Sequence, residues 1–258
     1  MNLTGKTALV SGGTGGIGKA SAIAMSKLGA SILLLARNEE KLKSTLKELD
    51  SSSNQNHSYL IADFSNTNSL DSVCNEIKAL SIDILLNNTG GPAGGPITES
   101  KPEEFINTFN QHLIANHKLT QAVLPNMKNQ PYGRIINIIS TSVKAPLNGL
   151  GVSNTIRGAV ANWSKTMANE LGQHNITVNN VLPGATNTGR LNEIFEAKSK
   201  KTGKSIAEIK KGMESIVPMN RIAEPEEVAN AVAFLASPLA SYINGINLPV
   251  DGGRTPCL

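Results

Sequence analysis

The chain of 258 residues holds only two cysteines, Cys74 and Cys257. Neither lies in a Cys-x-x-Cys pair or a Cys/His cluster, so the sequence points to no disulfide framework and no zinc site, and a reduced, cytoplasmic setting is expected. No apolar stretch approaches the roughly 18 residues that a membrane span needs. An apolar strand pattern begins within a few residues of Met1, which leaves no room for a signal peptide. Aromatic residues make up 3% of the chain and the net charge is only +4. The basic residues are scattered, with one concentration at Lys198, Lys200, Lys201, Lys204, Lys210 and Lys211. So mild an excess does not indicate nucleic acid, and it suits a smaller anionic ligand. Linkers and repeats are absent too. A single domain is expected, large enough to bury a core without disulfides or metals.

What is present is a regular alternation of short apolar runs and helical stretches. Residues 5–10, 30–36, 58–63, 84–87, 134–139, 177–182 and 245–250 are predicted as strands, and residues 16–28, 38–49, 70–79, 105–127, 154–172 and 225–236 as helices. Strands alternating with helices of this length predict right-handed βαβ units and a parallel sheet covered on both faces. The expected fold class is α/β, a single Rossmann-type doubly wound sheet flanked by helices.

The first strand runs into a glycine-rich turn, Ser11 to Gly18, containing Gly12, Thr14, Gly16, Ile17 and Gly18. A tight turn, close approach of backbone N–H groups to a pyrophosphate and a helix N-terminus aimed at that charge all call for residues without a β-carbon. Glycines placed there for strand-to-helix packing alone are the competing reading. The second strand ends at Ala36-Arg37, where a carboxylate would meet a ribose 2′-hydroxyl. None is present. Arg37 suits a 2′-phosphate, which favours NADP(H), unless it is merely a solvated loop charge.

Further segments carry a resemblance. They are Ala62-Asp63-Phe64, Asn87-Asn88-Thr89-Gly90, Asn179, Pro183-Gly184 followed by Thr186 and Thr188, Arg221-x-x-Glu-Pro-Glu-Glu-Val-Ala229, Phe234-Leu-Ala-Ser237 and Val250-Asp-Gly-Gly253. Together with the glycine turn they resemble the short-chain dehydrogenase/reductase family over nearly the whole chain, at spacings similar to those of 3-oxoacyl-carrier-protein reductases. The resemblance implies that Asp63 and Phe64 flank an adenine, that Asn88 borders the cofactor, and that Pro183, Gly184 and Thr186 hold a nicotinamide amide. It also implies a small carbonyl or acyl-thioester substrate, and a homodimer or homotetramer formed through residues 225–250.

The family's catalytic set is a serine, a Tyr-x-x-x-Lys pair thirteen residues later and an asparagine on the preceding long helix. Aligned on Ala168-Asn-Glu-Leu171, the tyrosine falls on Ser153 and the lysine on Arg157, and Ser140 keeps its distance of thirteen residues from Ser153. Aligned on Thr120-Gln-Ala-Val-Leu-Pro125, the asparagine falls on His112. Only Ser140 is retained. Lys165 lies eight residues beyond Arg157, about 80° around and about 12 Å along the same helix, so it does not replace the missing lysine. Tyr59, Tyr132 and Tyr242 belong to other segments.

Arg157 can donate to ribose hydroxyls and remains positive. Ser153 ends about 4 Å short of where a phenolic oxygen would lie, more than a hydrogen bond covers. An imidazole with a reference pKa near 6.5 at His112 is a better proton source than an amide, so a relay through it is expected to slow as pH rises through that pKa. Plainer roles stay open: Ser140 as a turn cap, Ser153 as a small helix-start residue, Arg157 as a surface ion-pair partner, and His112 bonded to a backbone carbonyl. Residues 191–215 stand where the family carries its substrate lid, and their lysines either attract an acidic partner or form a wet helix face. Gly90 to Pro96 is read as a loop on the substrate side. Two functions compete: NADP(H)-dependent carbonyl reduction with atypical catalytic residues, and NADP(H) binding without catalysis, as a sensor or structural subunit.

Overall fold

The computed structural model describes residues 1–257, apart from the side chains of Thr67 and Asn68. Its seven parallel strands are β1 (Thr7–Ser11), β2 (Ser31–Ala36), β3 (Ser58–Ile61), β4 (Ile84–Asn87), β5 (Gly133–Ile138), β6 (Ile176–Pro183) and β7 (Asn247–Val250). They form one sheet in the order β3-β2-β1-β4-β5-β6-β7. The helices are α1 (Gly16–Lys27), α2 (Glu39–Leu46), α3 (Thr67–Lys78), α4 (Pro102–Phe109), α5 (Ala115–Lys128), α6 (Gly151–Leu171), α7 (Gly189–Thr202), α8 (Ile206–Glu214) and α9 (Pro225–Ala236).

The central strands are near-continuous apolar runs because both faces of the sheet are covered. Alternate side chains point to opposite faces. Ala8, Val10, Leu34, Leu86 and Ile136 meet Ala22 and Met25 of α1 and Val228 and Val232 of α9. Leu9, Leu33, Leu85 and Ile135 meet Val73 and Ile77 of α3 and Leu119 and Val123 of α5. Full burial of each such side chain contributes about 1.5–3 kcal/mol, and Leu85→Ala would cost about 2–5 kcal/mol.

Each predicted strand is present, with ends moved by local backbone geometry. β1 begins at Thr7 rather than residue 5 because Gly5 takes φ +76 in the preceding turn, and β7 begins at Asn247 because Gly245 takes φ +71. The helix predicted over 105–127 extends from Pro102 to Lys128 and is interrupted by a π turn at Asn110–Ile114. Its start is set by Pro102 and by Glu104, whose carboxylate accepts from the Lys101 N–H at 2.7 Å. The lysine-rich segment forms α7 and α8, which close on Leu191, Phe195 and Ile209.

A ladder of asparagines crosses the sheet. Asn87, Asn137, Asn180 and Asn247 occupy paired positions on β4 to β7. Each Nδ2 donates to the next Oδ1, at 2.9, 2.9 and 2.8 Å. Amides buried without such partners would be costly, so one register of these strands is strongly preferred. Asn179 ties β6 to the turn before β7, donating to the Ile243 carbonyl at 2.7 Å and accepting from the Ile246 N–H at 3.2 Å.

Candidate active site

The strand order reverses between β1 and β4, which opens a crevice at the C-terminal ends of those strands. The glycine turn lies there. Gly12 and Gly16 adopt φ +60 and +50, which L side chains tolerate poorly. A Cβ on Gly18 would lie 2.3 Å from the Gly12 carbonyl oxygen and 2.5 Å from Asn88 Nδ2, so this glycine is required for the close packing of α1 against the strand ends. Asn88 supports the turn by donating to the carbonyls of Ser11 at 3.4 Å and Gly12 at 3.3 Å, while its own N–H donates to Ser11 Oγ at 2.8 Å. Thr14 and Ile17 are half-buried in the same turn, and Ile17 packs on the core.

Beyond β2, Arg37 is exposed and has no ion-pair partner among the described residues. Asp63, just past β3, accepts from the Ser65 hydroxyl at 2.7 Å and the Ser65 N–H at 2.9 Å. These bonds, with a smaller contribution from the charge of Arg37, hold its carboxyl below the usual range against the opposing effect of burial. Phe64 packs its ring on the α3 side of the core. Past β6, Pro183 and Gly184 lead to buried Thr186, whose hydroxyl donates to the Gly184 carbonyl at 3.2 Å. Thr188 caps α7. Its methyl would lie 3.0 Å from a Cβ on Gly16, so the start of α7 sits against the glycine turn.

The four candidate catalytic residues come from β5, α6 and the π turn. Ser140 follows β5, and its Oγ accepts from the Ser142 N–H at 3.1 Å, which is the turn-capping role in addition to any other. Ser153 lies half-buried in the first turn of α6, and its hydroxyl has no hydrogen-bond partner among the described residues. Arg157 is one turn further along α6, on the same face. It is not a surface ion-pair residue: it is only 8% exposed and donates from Nη1 to the Ile138 carbonyl at 2.8 Å. Burial lowers its pKa to about 10, so it remains a cation at neutral pH.

The surroundings of His112 run against the expectation of an imidazolium proton source. It is 1% exposed in the π turn, with Nδ1 2.5 Å from Thr89 Oγ1. Its Nε2 is buried without a partner among the described residues. Burial first, and the charge of Arg157 second, push its pKa down to about 2. The ring is therefore neutral at physiological pH, and a rate limb governed by its titration near pH 6.5 is not expected. The π turn, a feature frequent at functional sites, widens the helix where His112 points inward. No sequence signal marked it. The Thr89 contact was likewise unmarked, because Asn87-Asn88-Thr89-Gly90 carries the resemblance as a whole.

The glycine/proline loop covers the same end of the sheet. The Gly95 N–H donates to the Gly149 carbonyl at 2.8 Å, just before α6, and Arg190 at the start of α7 donates to the Pro92 carbonyl at 2.6 Å. The three tyrosines lie elsewhere: Tyr59 bonds Glu39, Tyr132 is buried against the Ala236 carbonyl, and Tyr242 is fully exposed. Lys165 sits beside Gly245, toward β7. Among the described residues no helix is long and apolar enough to cross a membrane, and no group of three His, Cys, Asp or Glu side chains is placed to hold a metal.

A doubly wound parallel sheet with a glycine turn at its reversal point defines a dinucleotide-binding α/β protein. The chain belongs to the short-chain dehydrogenase/reductase family and is an oxidoreductase of that type: a family model described as enoyl-(acyl carrier protein) reductase matches residues 12–255. It is 34% identical over 255 residues to the 3-oxoacyl-(acyl-carrier-protein) reductase FabG of Rickettsia bellii, covering 98% of each chain. Its structure is similar to that of L-sorbose reductase from Gluconobacter frateurii, complexed with NADPH and L-sorbose, with TM-score 0.93, 29% identity and coverage of 100% and 99% of the two chains. The NADPH-dependent reductase YwfH, involved in bacilysin biosynthesis, matches with TM-score 0.91 and 30% identity over 98% of this chain and 99% of that one.

Proposed function

We propose that the protein reduces a carbonyl, such as a 3-oxoacyl thioester, with NADP(H), using Ser140, Ser153, Arg157 and His112 in place of the usual family set. The observation that carries this reading is that a buried, positively charged Arg157 and an inward-facing His112 lie at the strand ends that also bear the glycine turn. The names of the relatives support both the cofactor and the substrate class.

The residues fit a dinucleotide with a 2′-phosphate. Helix α1 begins without a side-chain cap, and a Cβ on Gly15 would meet nothing within 4 Å, so backbone N–H groups are open to a pyrophosphate. Gly12, Thr14, Gly16, Ile17 and Gly18 would hold it, Arg37 the 2′-phosphate, Asp63 and Phe64 the adenine side, Asn88 and Arg157 the nicotinamide ribose side, and Pro183, Gly184 and Thr186 the amide. Bound there, the reduced cofactor would supply the hydride equivalent for a carbonyl carbon.

The remaining work belongs to the chain. Ser140 accepts from Ser142, which leaves its O–H free to donate to the carbonyl oxygen. Arg157 lowers the cost of the negative charge that develops on that oxygen, and a buried cation does this more effectively than a solvated one. The unbonded Ser153 hydroxyl is too short to be the direct acid, so the proton comes from solvent held beside it. We place a substrate lid at α7 and α8. We place a second copy of the chain against residues 225–250, where Leu239 and Tyr242 are exposed.

The test is NADPH oxidation against a carbonyl panel that includes acetoacetyl thioesters, with heat-killed protein as background. Enzyme-dependent oxidation of at least one carbonyl is expected. Tight NADP(H) binding with no turnover would favour the second reading, a binding protein without catalysis, which the absence of a phenol at Ser153 supports.

A further inference from the structure

We propose that Thr89 is a positioning residue that holds His112 in a single tautomer, with the ring proton on Nδ1 and the bare lone pair on Nε2. The inference rests on the placement of the reductase site above, but it concerns a contact that the unliganded chain makes by itself.

Three observations set the direction. Thr89 Oγ1 lies 2.5 Å from Nδ1, and it can accept a proton from the ring as readily as it can donate one. The Gly90 backbone also acts on the ring in the sense that favours a ring proton, as a carbonyl acceptor does. Arg157 is the one charged group acting on the ring, and it opposes further positive charge there. A proton on Nδ1 meets Thr89 Oγ1, and the charge of Arg157 opposes a second proton on the ring. Nε2 is buried without a partner among the described residues, so a ring proton placed there would be left unpaired.

The chemical consequence differs from that of an imidazolium acid. A neutral ring with a bare Nε2 accepts a hydrogen bond from water or from the alcohol form of the substrate. The ring supplies no proton of its own. Threonine at 89 and histidine at 112 thus act together from different elements that meet only in the folded chain.

The experiment is 15N-resolved NMR of the histidine side chains in the unliganded protein, with His112 assigned by its loss in His112→Asn. In the wild type, Nδ1 should appear as the protonated, pyrrole-type nitrogen and Nε2 as the unprotonated, pyridine-type one, unchanged from about pH 5 to about pH 8. Thr89→Val, which removes only the hydroxyl's hydrogen-bonding capacity, should give averaged tautomers, and Thr89→Ser should restore the wild-type pattern. A wild-type ring protonated on Nε2 would overturn the proposal, as would an unchanged pattern in Thr89→Val. If carbonyl reduction is observed, Thr89→Val should lower kcat about ten-fold, the effect of one ordinary hydrogen bond, with little change in KM for NADPH. Since the NMR signature requires no turnover, a failure of the reductase reading and a failure of this inference give different results.

Discussion

Replacement of Arg37 isolates the cofactor choice from the fold. The side chain is exposed, lies past the end of β2 and makes no ion pair among the described residues. Arg37→Ala should therefore leave stability within about 0.5 kcal/mol. A hydrogen bond to a charged group contributes about 1.5–3 kcal/mol, and exposure to solvent places Arg37 near the lower end. At about 1.4 kcal/mol per ten-fold, one such contact corresponds to a preference of roughly ten-fold or somewhat more for NADP(H) over NAD(H). Titration calorimetry with both cofactors should show that preference in the wild type. In Arg37→Ala the NADP(H) affinity should fall about ten-fold while the NAD(H) affinity stays within about two-fold. Raising salt should narrow the wild-type preference, because the screening length falls from about 10 Å at 0.1 M to about 3 Å at 1 M. Equal wild-type affinities, or a preference for NAD(H), would refute the role given to Arg37.

Three further outcomes are expected. Gly16→Val places a β-branched residue at φ +50 with its Cβ 3.0 Å from the Thr188 methyl; the protein should fold with a loss of about 1–3 kcal/mol and lose NADP(H) binding, and normal binding would reduce the turn to a packing feature. His112 has a folded pKa of about 2, below the value near 6.5 of an unfolded chain, so the unfolded state takes up the proton first as pH falls and stability declines below about pH 6.5. Urea melts should lose about 2 kcal/mol from this residue between about pH 7 and about pH 5, and His112→Asn should lack that loss; an identical pH dependence in the variant would show that the ring is not buried neutral. Ser153→Tyr combined with Arg157→Lys should raise turnover of whichever carbonyl the wild type reduces, and a fall would mean that the site has been rebuilt around the serine and arginine.

The fold was legible in the sequence because its determinants are local and repetitive. Unbroken apolar runs such as Ile84–Asn87 have one comfortable environment, a strand covered on both faces, and the helices between them fix the parallel order. The glycine turn was legible for a similar reason, since positive φ at Gly12 and Gly16 and the close approach at Gly18 exclude most other residues. The departures at Ser153, Arg157 and His112 were visible as letters in the chain. What they do was decided by the folded state. The protonation of His112 depends on burial and on Arg157 from another helix, its anchoring on Thr89 from just past β4, and the ladder of four asparagines on strands spread over more than 150 residues of chain. Solvent exclusion and contacts between distant segments have no value until the elements pack, so a reading of local pattern finds the residues and tertiary structure alone sets their charge and partners.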